Sequence, residues 1–130
     1  GLAQFASRCG TAFQLQDDIL GLTGTEEIIG KPVGSDVREG KRTTITYYAY
    51  QCANPSQRRR LDRILGNRAA TPAEAAEAVD LLRDLGGIRK TAELARQLTE
   101  QAIPLLDAIP ESDARELLAE WAQFLIERRF

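Results

Sequence analysis

Apolar positions along the chain do not alternate as they would in a half-buried strand; they recur at helical spacing. From Leu2 to Leu22, at about 100° per residue, Leu2, Ala6, Cys9, Phe13 and Leu20 fall in one narrow stripe, and Phe5, Ala12, Leu15 and Ile19 cover the neighbouring surface. The segment's only charges are Arg8, Asp17 and Asp18, which predicts a central helix buried around most of its circumference. Residues 23–42 break the pattern with Gly24, Gly30, Pro32, Gly34 and Gly40, so turns are expected there. Thr43 to Tyr50 has the β-branched and aromatic composition of a strand, yet every other element reads as helix and this one is expected to follow.

Punctuation sets the remaining boundaries. Asn54-Pro55 reads as an N-cap and first helical position, and Gly66 closes the arginine-rich segment behind it. Thr71-Pro72-Ala73-Glu74 combines an N-cap, a proline at the first position and a capping-box glutamate, opening a helix that Gly86 ends. Ile88 to Ala108 is helical in pattern, with Pro104 kinking or splitting it because proline lacks an amide donor. Ser112 caps a last helix whose expected apolar face is Leu117, Leu118, Trp121, Phe124 and Leu125. The reading is an all-α helical bundle.

Composition narrows the chemistry. With 130 residues the chain is one domain's worth, and such a chain buries roughly two-thirds of its unfolded surface. The absence of histidine excludes Ser-His-Asp and Cys-His catalysis and zinc sites of the Cys/His kind, so any metal must sit on oxygen. Seventeen basic against nineteen acidic residues give a formal charge of -2, which argues against a nucleic-acid partner. Cys9 and Cys52 form no Cys-x-x-Cys pair and are expected to be reduced packing thiols. No apolar run is long enough for a membrane span and the first residues carry no basic signal-peptide region, so the expected location is cytoplasmic. Arg58, Arg59 and Arg60 are expected to form a solvated face, and Trp121 to lie in a core or interface.

Candidate chemistry concentrates at the end of the first helix. Gly10, Gln14, Asp17 and Gly21 share one face. Asp17 and Asp18 repel each other near a helix C-terminus, where the dipole disfavours each anion by about 0.3–1 kcal/mol. A cationic partner is therefore expected, and Lys31, Arg38, Lys41 and Arg42 follow at once. Oxygen ligation by acids together with water and phosphate suits magnesium, and lysines beside it could clasp the same anion. On the residues alone, a pair of solvated acids and two surface lysines account for the stretch as well. A P-loop is rejected because Arg42 follows the lysine where Ser or Thr is needed and no strand precedes it.

The run Phe13-Gln14-Leu15-Gln16-Asp17-Asp18-Ile19-Leu20-Gly21, continued by Gly30-Lys31-Pro32-Val33-Gly34-Ser35-Asp36 and Glu39-Gly40-Lys41-Arg42-Thr43, resembles the second aspartate-rich region of the trans-type isoprenyl diphosphate synthases, or polyprenyl synthetases. The close match covers about thirty residues. It implies that residues 1–130 are the C-terminal portion of the isoprenoid synthase fold, in a magnesium-dependent prenyltransferase joining isopentenyl diphosphate to an allylic diphosphate. Such enzymes are usually homodimeric. Two aspartate-rich motifs hold Mg2+ on the allylic diphosphate, whose carbon–oxygen bond ionises before the isopentenyl double bond attacks. Carried over residue by residue, Asp17 would ligate the metal directly, with Asp18 acting through water or behind it. Lys31 and Lys41 would contact the allylic diphosphate, Gln14 would bond near it, Phe13 would line the isopentenyl side, and Asp36 would orient a lysine.

Two departures stand out: Gly21 replaces the last aspartate of the family's Asp-Asp-x-x-Asp, and nothing in the chain matches the first aspartate-rich motif. The isolated chain is therefore expected to be inactive. The alternatives are a non-catalytic regulatory or dimerisation subunit of such a synthase and, more weakly, a terpene cyclase relative, which the Gly-Lys continuation disfavours.

Overall fold

Side-chain caps begin the helices where the sequence places them. The computed structural model describes residues 2–24 and 34–127, and helix is the only regular structure among them. The elements are α1 (Leu2–Thr23), α2 (Ser35–Glu39), α3 (Thr44–Cys52), α4 (Pro55–Ile64), α5 (Pro72–Asp84), α6 (Gly87–Ala102), a 3-10 segment (Ile103–Ala108) and α7 (Asp113–Glu127). Thr43, Asn54 and Thr71 each accept from the backbone amide three residues on, and Thr46, Gln57 and Glu74 return the bond. Thr43 to Tyr50 is helix despite its strand-like composition, because this reciprocal cap starts the turn and Ile45 and Ala49 both bury. Pro104 falls in the 3-10 segment and ends α6 as its missing amide requires.

Two compact units make up the chain, one of residues 17–91 and the other of 1–16 with 92–129, the division falling inside α1 and inside α6. In the first unit Ile19 and Leu22 of α1 join Val37, Ile45, Leu61, Ile64 and Leu82 in a continuous core. In the second, Phe5 and Cys9 pack with Ala102, Leu106, Ala122 and Leu125, and a smaller cluster holds Ala12, Leu15 and Ala95. Gln16 Nε2 donates to the Leu125 carbonyl at 2.6 Å.

Several expectations are corrected. α1 is not buried all round: Leu2, Ala6 and Phe13 of the expected stripe are exposed, and the buried face is Phe5, Cys9, Ala12, Leu15, Ile19 and Leu22. On α7, Leu118, Ala122 and Leu125 turn inward, whereas Leu117, Trp121 and Phe124 are exposed, Trp121 meeting the Phe5 ring edge-on at 6.4 Å. A helix apolar on most sides has no face that hydrophobicity alone selects. Cys9 packs as expected, but Cys52 is exposed and accepts from Lys90 Nζ at 3.3 Å. Of the three arginines two are engaged: the Arg60 guanidinium clasps the Glu77 carboxylate with two nitrogens, and Arg58 donates to the Tyr50 carbonyl.

Candidate functional site: an acid pair and its lysine

The last turns of α1 carry Asp17 and Asp18. Asp18 is buried and Asp17 half-buried. Lys41 answers the expectation of a cationic partner: its Nζ lies 3.1 Å from Asp18 Oδ1, with 43% of the lysine side chain and 9% of the aspartate side chain exposed. The hydrogen bond to Asp18 holds the Lys41 ammonium above the ordinary lysine range, aided by the charges of Asp18, Asp36 and Asp17 and opposed by partial burial. One ammonium thus sits in the field of three carboxylates.

A short element aims that lysine. α2 lies between Gly34 and Gly40, both in the left-handed region at φ 86° and 68°. The amides of Gly40 and Lys41 donate to the carbonyls of Val37 and Asp36, each at 3.1 Å, which closes the helix and sends Lys41 back toward α1. Gly40 also passes so close to Gly66 that a Cβ would meet its Cα at 2.8 Å, and the Gly66 amide donates to the Val37 carbonyl at 2.9 Å. Arg38 Nε donates to the Ala70 carbonyl at 3.1 Å, a second tie on α2.

The same element brings Asp36 to Gly21. Asp36 is buried, and a Cβ built on Gly21 would run into its Oδ2. The Asp36 carboxylate from α2 thus occupies the space beside Gly21, an approach that no periodicity along α1 could reveal. Asp18, Asp36 and Lys41 line one small buried pocket together with Leu22 and Val37. Phe13 and Gln14 are exposed on α1, in the unit of residues 1–16 and 92–129. Lys31 lies outside the described residues, as do Arg128 and Arg129.

The donor set is oxygen alone, as magnesium and calcium prefer. Among the described residues no three acidic, cysteine or histidine groups converge on one point. An ion here would take one or two carboxylates and fill its remaining positions with water or substrate oxygens, which is how magnesium is commonly held. The residues present fit that ion.

The family model described as polyprenyl synthetase matches residues 1–82. The short chain isoprenyl diphosphate synthase of Methanocaldococcus jannaschii is 40% identical over 127 residues, which cover 98% of this chain and 38% of that protein. A geranylgeranyl pyrophosphate synthetase structure from Pyrococcus horikoshii superposes with a TM-score of 0.87 at 37% identity, over 98% of this chain and 38% of that one. A geranylgeranyl pyrophosphate synthase from Corynebacterium glutamicum, solved with isoprenyl diphosphate and magnesium, gives a TM-score of 0.88 at 34% identity, over 97% and 36%. The chain spans under two-fifths of the length of each of these relatives. No described helix is long and apolar enough to cross a membrane. The acid-ended helix, the glycine-framed turn that returns a lysine to it and the matched sequence together make this chain a member of the polyprenyl synthetase family.

Proposed function

We propose that residues 1–130 are the C-terminal portion of a magnesium-dependent prenyltransferase that condenses isopentenyl diphosphate with an allylic diphosphate, working in the cytoplasm as a homodimer. The observation that carries this reading is the ion pair of Lys41 with buried Asp18, one residue from the more exposed Asp17. In this reading Asp17 is the metal ligand. Asp18 stands behind it, its buried carboxylate fixing the Lys41 ammonium, and Asp36, lining the same small pocket, adds negative charge near that lysine. Magnesium, when bound, supplies positive charge against the charge growing on the departing diphosphate. Lys41 and Lys31 add fixed positive charge for the same diphosphate, Gln14 offers it an amide, and Phe13 shields the isopentenyl side from water.

The relatives' names support the substrate class, and the magnesium in the Corynebacterium glutamicum structure supports the ion. The exposed Leu117, Trp121 and Phe124 of α7 offer apolar surface for association.

In the parent enzyme, Asp17→Ala is expected to cut turnover of isopentenyl diphosphate by two or more orders of magnitude, about the scale of losing a ligand to a catalytic metal, with the melting temperature unchanged. Residues 1–130 alone are expected to show no turnover at any magnesium concentration. An Asp17→Ala enzyme with the wild-type rate would remove Asp17 from the mechanism.

A further inference from the structure

A second concavity lies on the unit of residues 17–91, apart from Asp17. It is an open cleft of about 890 Å³, a size typical of small-ligand sites. Lys41, Arg42 and Arg58 bring three positive charges to its wall, and Glu39 and Asp62 bring two negative ones. Asp62 is already engaged, since the Tyr50 hydroxyl donates to it at 2.7 Å. Burial and that hydrogen bond push the Tyr50 hydroxyl up to about 12, so at neutral pH Asp62 keeps its donor.

The cations are placed differently from ordinary surface arginines. Arg58 Nη2 donates to the Tyr50 carbonyl at 3.1 Å, which anchors the guanidinium on the cleft wall and leaves its other nitrogens available. Arg42 has no hydrogen-bond or ion-pair partner among the described residues, and it sits directly before the cap of α3. Thr43 and Thr46, at the positive end of that helix, line the same cleft. Lys41 has two sides: it lines the cleft and also the small pocket that holds Asp18 and Asp36.

We propose that this cleft binds a diphosphate-bearing anion through Arg42 and Arg58 without any metal, and that the bound anion competes with Asp18 for the Lys41 ammonium. The ligand class follows from the donors: two forked guanidiniums and an ammonium lining one cleft suit a polyanion with many acceptor oxygens. Because Lys41 is shared, occupancy of the cleft loosens the ion pair that stands behind Asp17. The cleft would then report the local level of diphosphate to the acid turn. This inference goes beyond the proposed function and does not depend on it, since no carboxylate ligand to a metal takes part.

The test is calorimetric titration of the 130-residue chain with inorganic diphosphate in the presence of a chelator. One binding site is expected. Arg42→Ala should weaken it about tenfold, the scale of one charge-assisted hydrogen bond, and raised salt should weaken it further. Asp17→Ala should leave it intact. Arg58→Ala removes the bond to Tyr50, so Arg42→Ala, which removes no hydrogen bond or ion pair to a described group, carries the test, with an unchanged melting curve as its control. Absence of metal-free binding, or binding indifferent to Arg42→Ala, overturns the site. NMR of the Lys41 ammonium should show a shift on saturation with diphosphate, and a signal that stays in place overturns the competition. Loss of magnesium-dependent binding in Asp17→Ala, read without chelator, bears on the proposed function alone.

Discussion

The two units of this chain solve burial differently. In residues 17–91 every helix from α3 to α5 has a reciprocal side-chain cap, one continuous core joins five elements, and among the described residues Tyr47 alone is a large apolar-bodied residue left exposed. In residues 1–16 with 92–127 the core divides into two smaller clusters, and Leu2, Phe13, Leu117, Trp121 and Phe124 remain at least 41% exposed. The acid pair and its lysine thus lie in the unit whose described residues form the more continuous core. Asp18 is buried there, so a shifted Lys41 would break an ion pair at a carboxylate held away from water.

The contrast breaks most directly in the core. Leu61→Ala or Ile64→Ala, each removing a fully buried side chain from the first unit, should cost about 2–5 kcal/mol. Leu117→Ala, at 65% exposure in the second, should stay within about 0.5 kcal/mol. Urea titration measures both, and similar losses at the two places would erase the distinction.

Gly21→Asp sharpens it at the site. Restoring the family's third acid forces the buried Asp36 carboxylate to move, an overpacking expected to cost about 1–3 kcal/mol. A gain in stability would mean that the Asp36 side chain yields its place without strain.

Asp18→Asn tests the ion pair with a smaller expected loss, about 1–2 kcal/mol at pH 7. This is below the figure for a fully buried pair because Lys41 is 43% exposed. The sign of its pH dependence follows from the raised Lys41 value. The contribution is complete below the ordinary lysine value of 10.5 and is lost as pH rises through the higher folded value. Denaturation curves of the wild type and variant should therefore converge in strong alkali and differ at neutral pH.

Thr71→Ala removes the cap that opens α5 and should cost about 1 kcal/mol. The smallest effect is spectroscopic. Ultraviolet titration should show one tyrosine ionising at about 12, a step that Tyr50→Phe abolishes. Because the fold favours the neutral phenol, its share of stability is whole below pH 10 and fades as pH climbs from 10 to about 12.

Local chemistry was legible residue by residue. Asn54-Pro55, Thr71-Pro72, Gly66 and Gly86 mark the helix ends read from the sequence, because a cap or a left-handed glycine acts over three or four residues and needs no distant partner. The need for a cation near Asp17 and Asp18 was legible as well, since adjacent acids at a helix C-terminus carry an uncompensated charge wherever they occur. Lys41 was one of four candidates for it.

Which face of α1 and of α7 turns inward was decided only by packing, because Leu2, Phe13, Leu117 and Trp121 are as apolar as the residues buried beside them. The approach of Asp36 to Gly21, across fifteen positions of chain, depends on how α2 is tied at Val37 and Arg38. The choice of Lys41 for Asp18, and the cleft on its other side, depend on the same closure at Gly40. Propensity and capping are settled by neighbours in sequence, whereas the pairing of a buried acid with its cation is settled by whichever elements the core brings within about 3 Å.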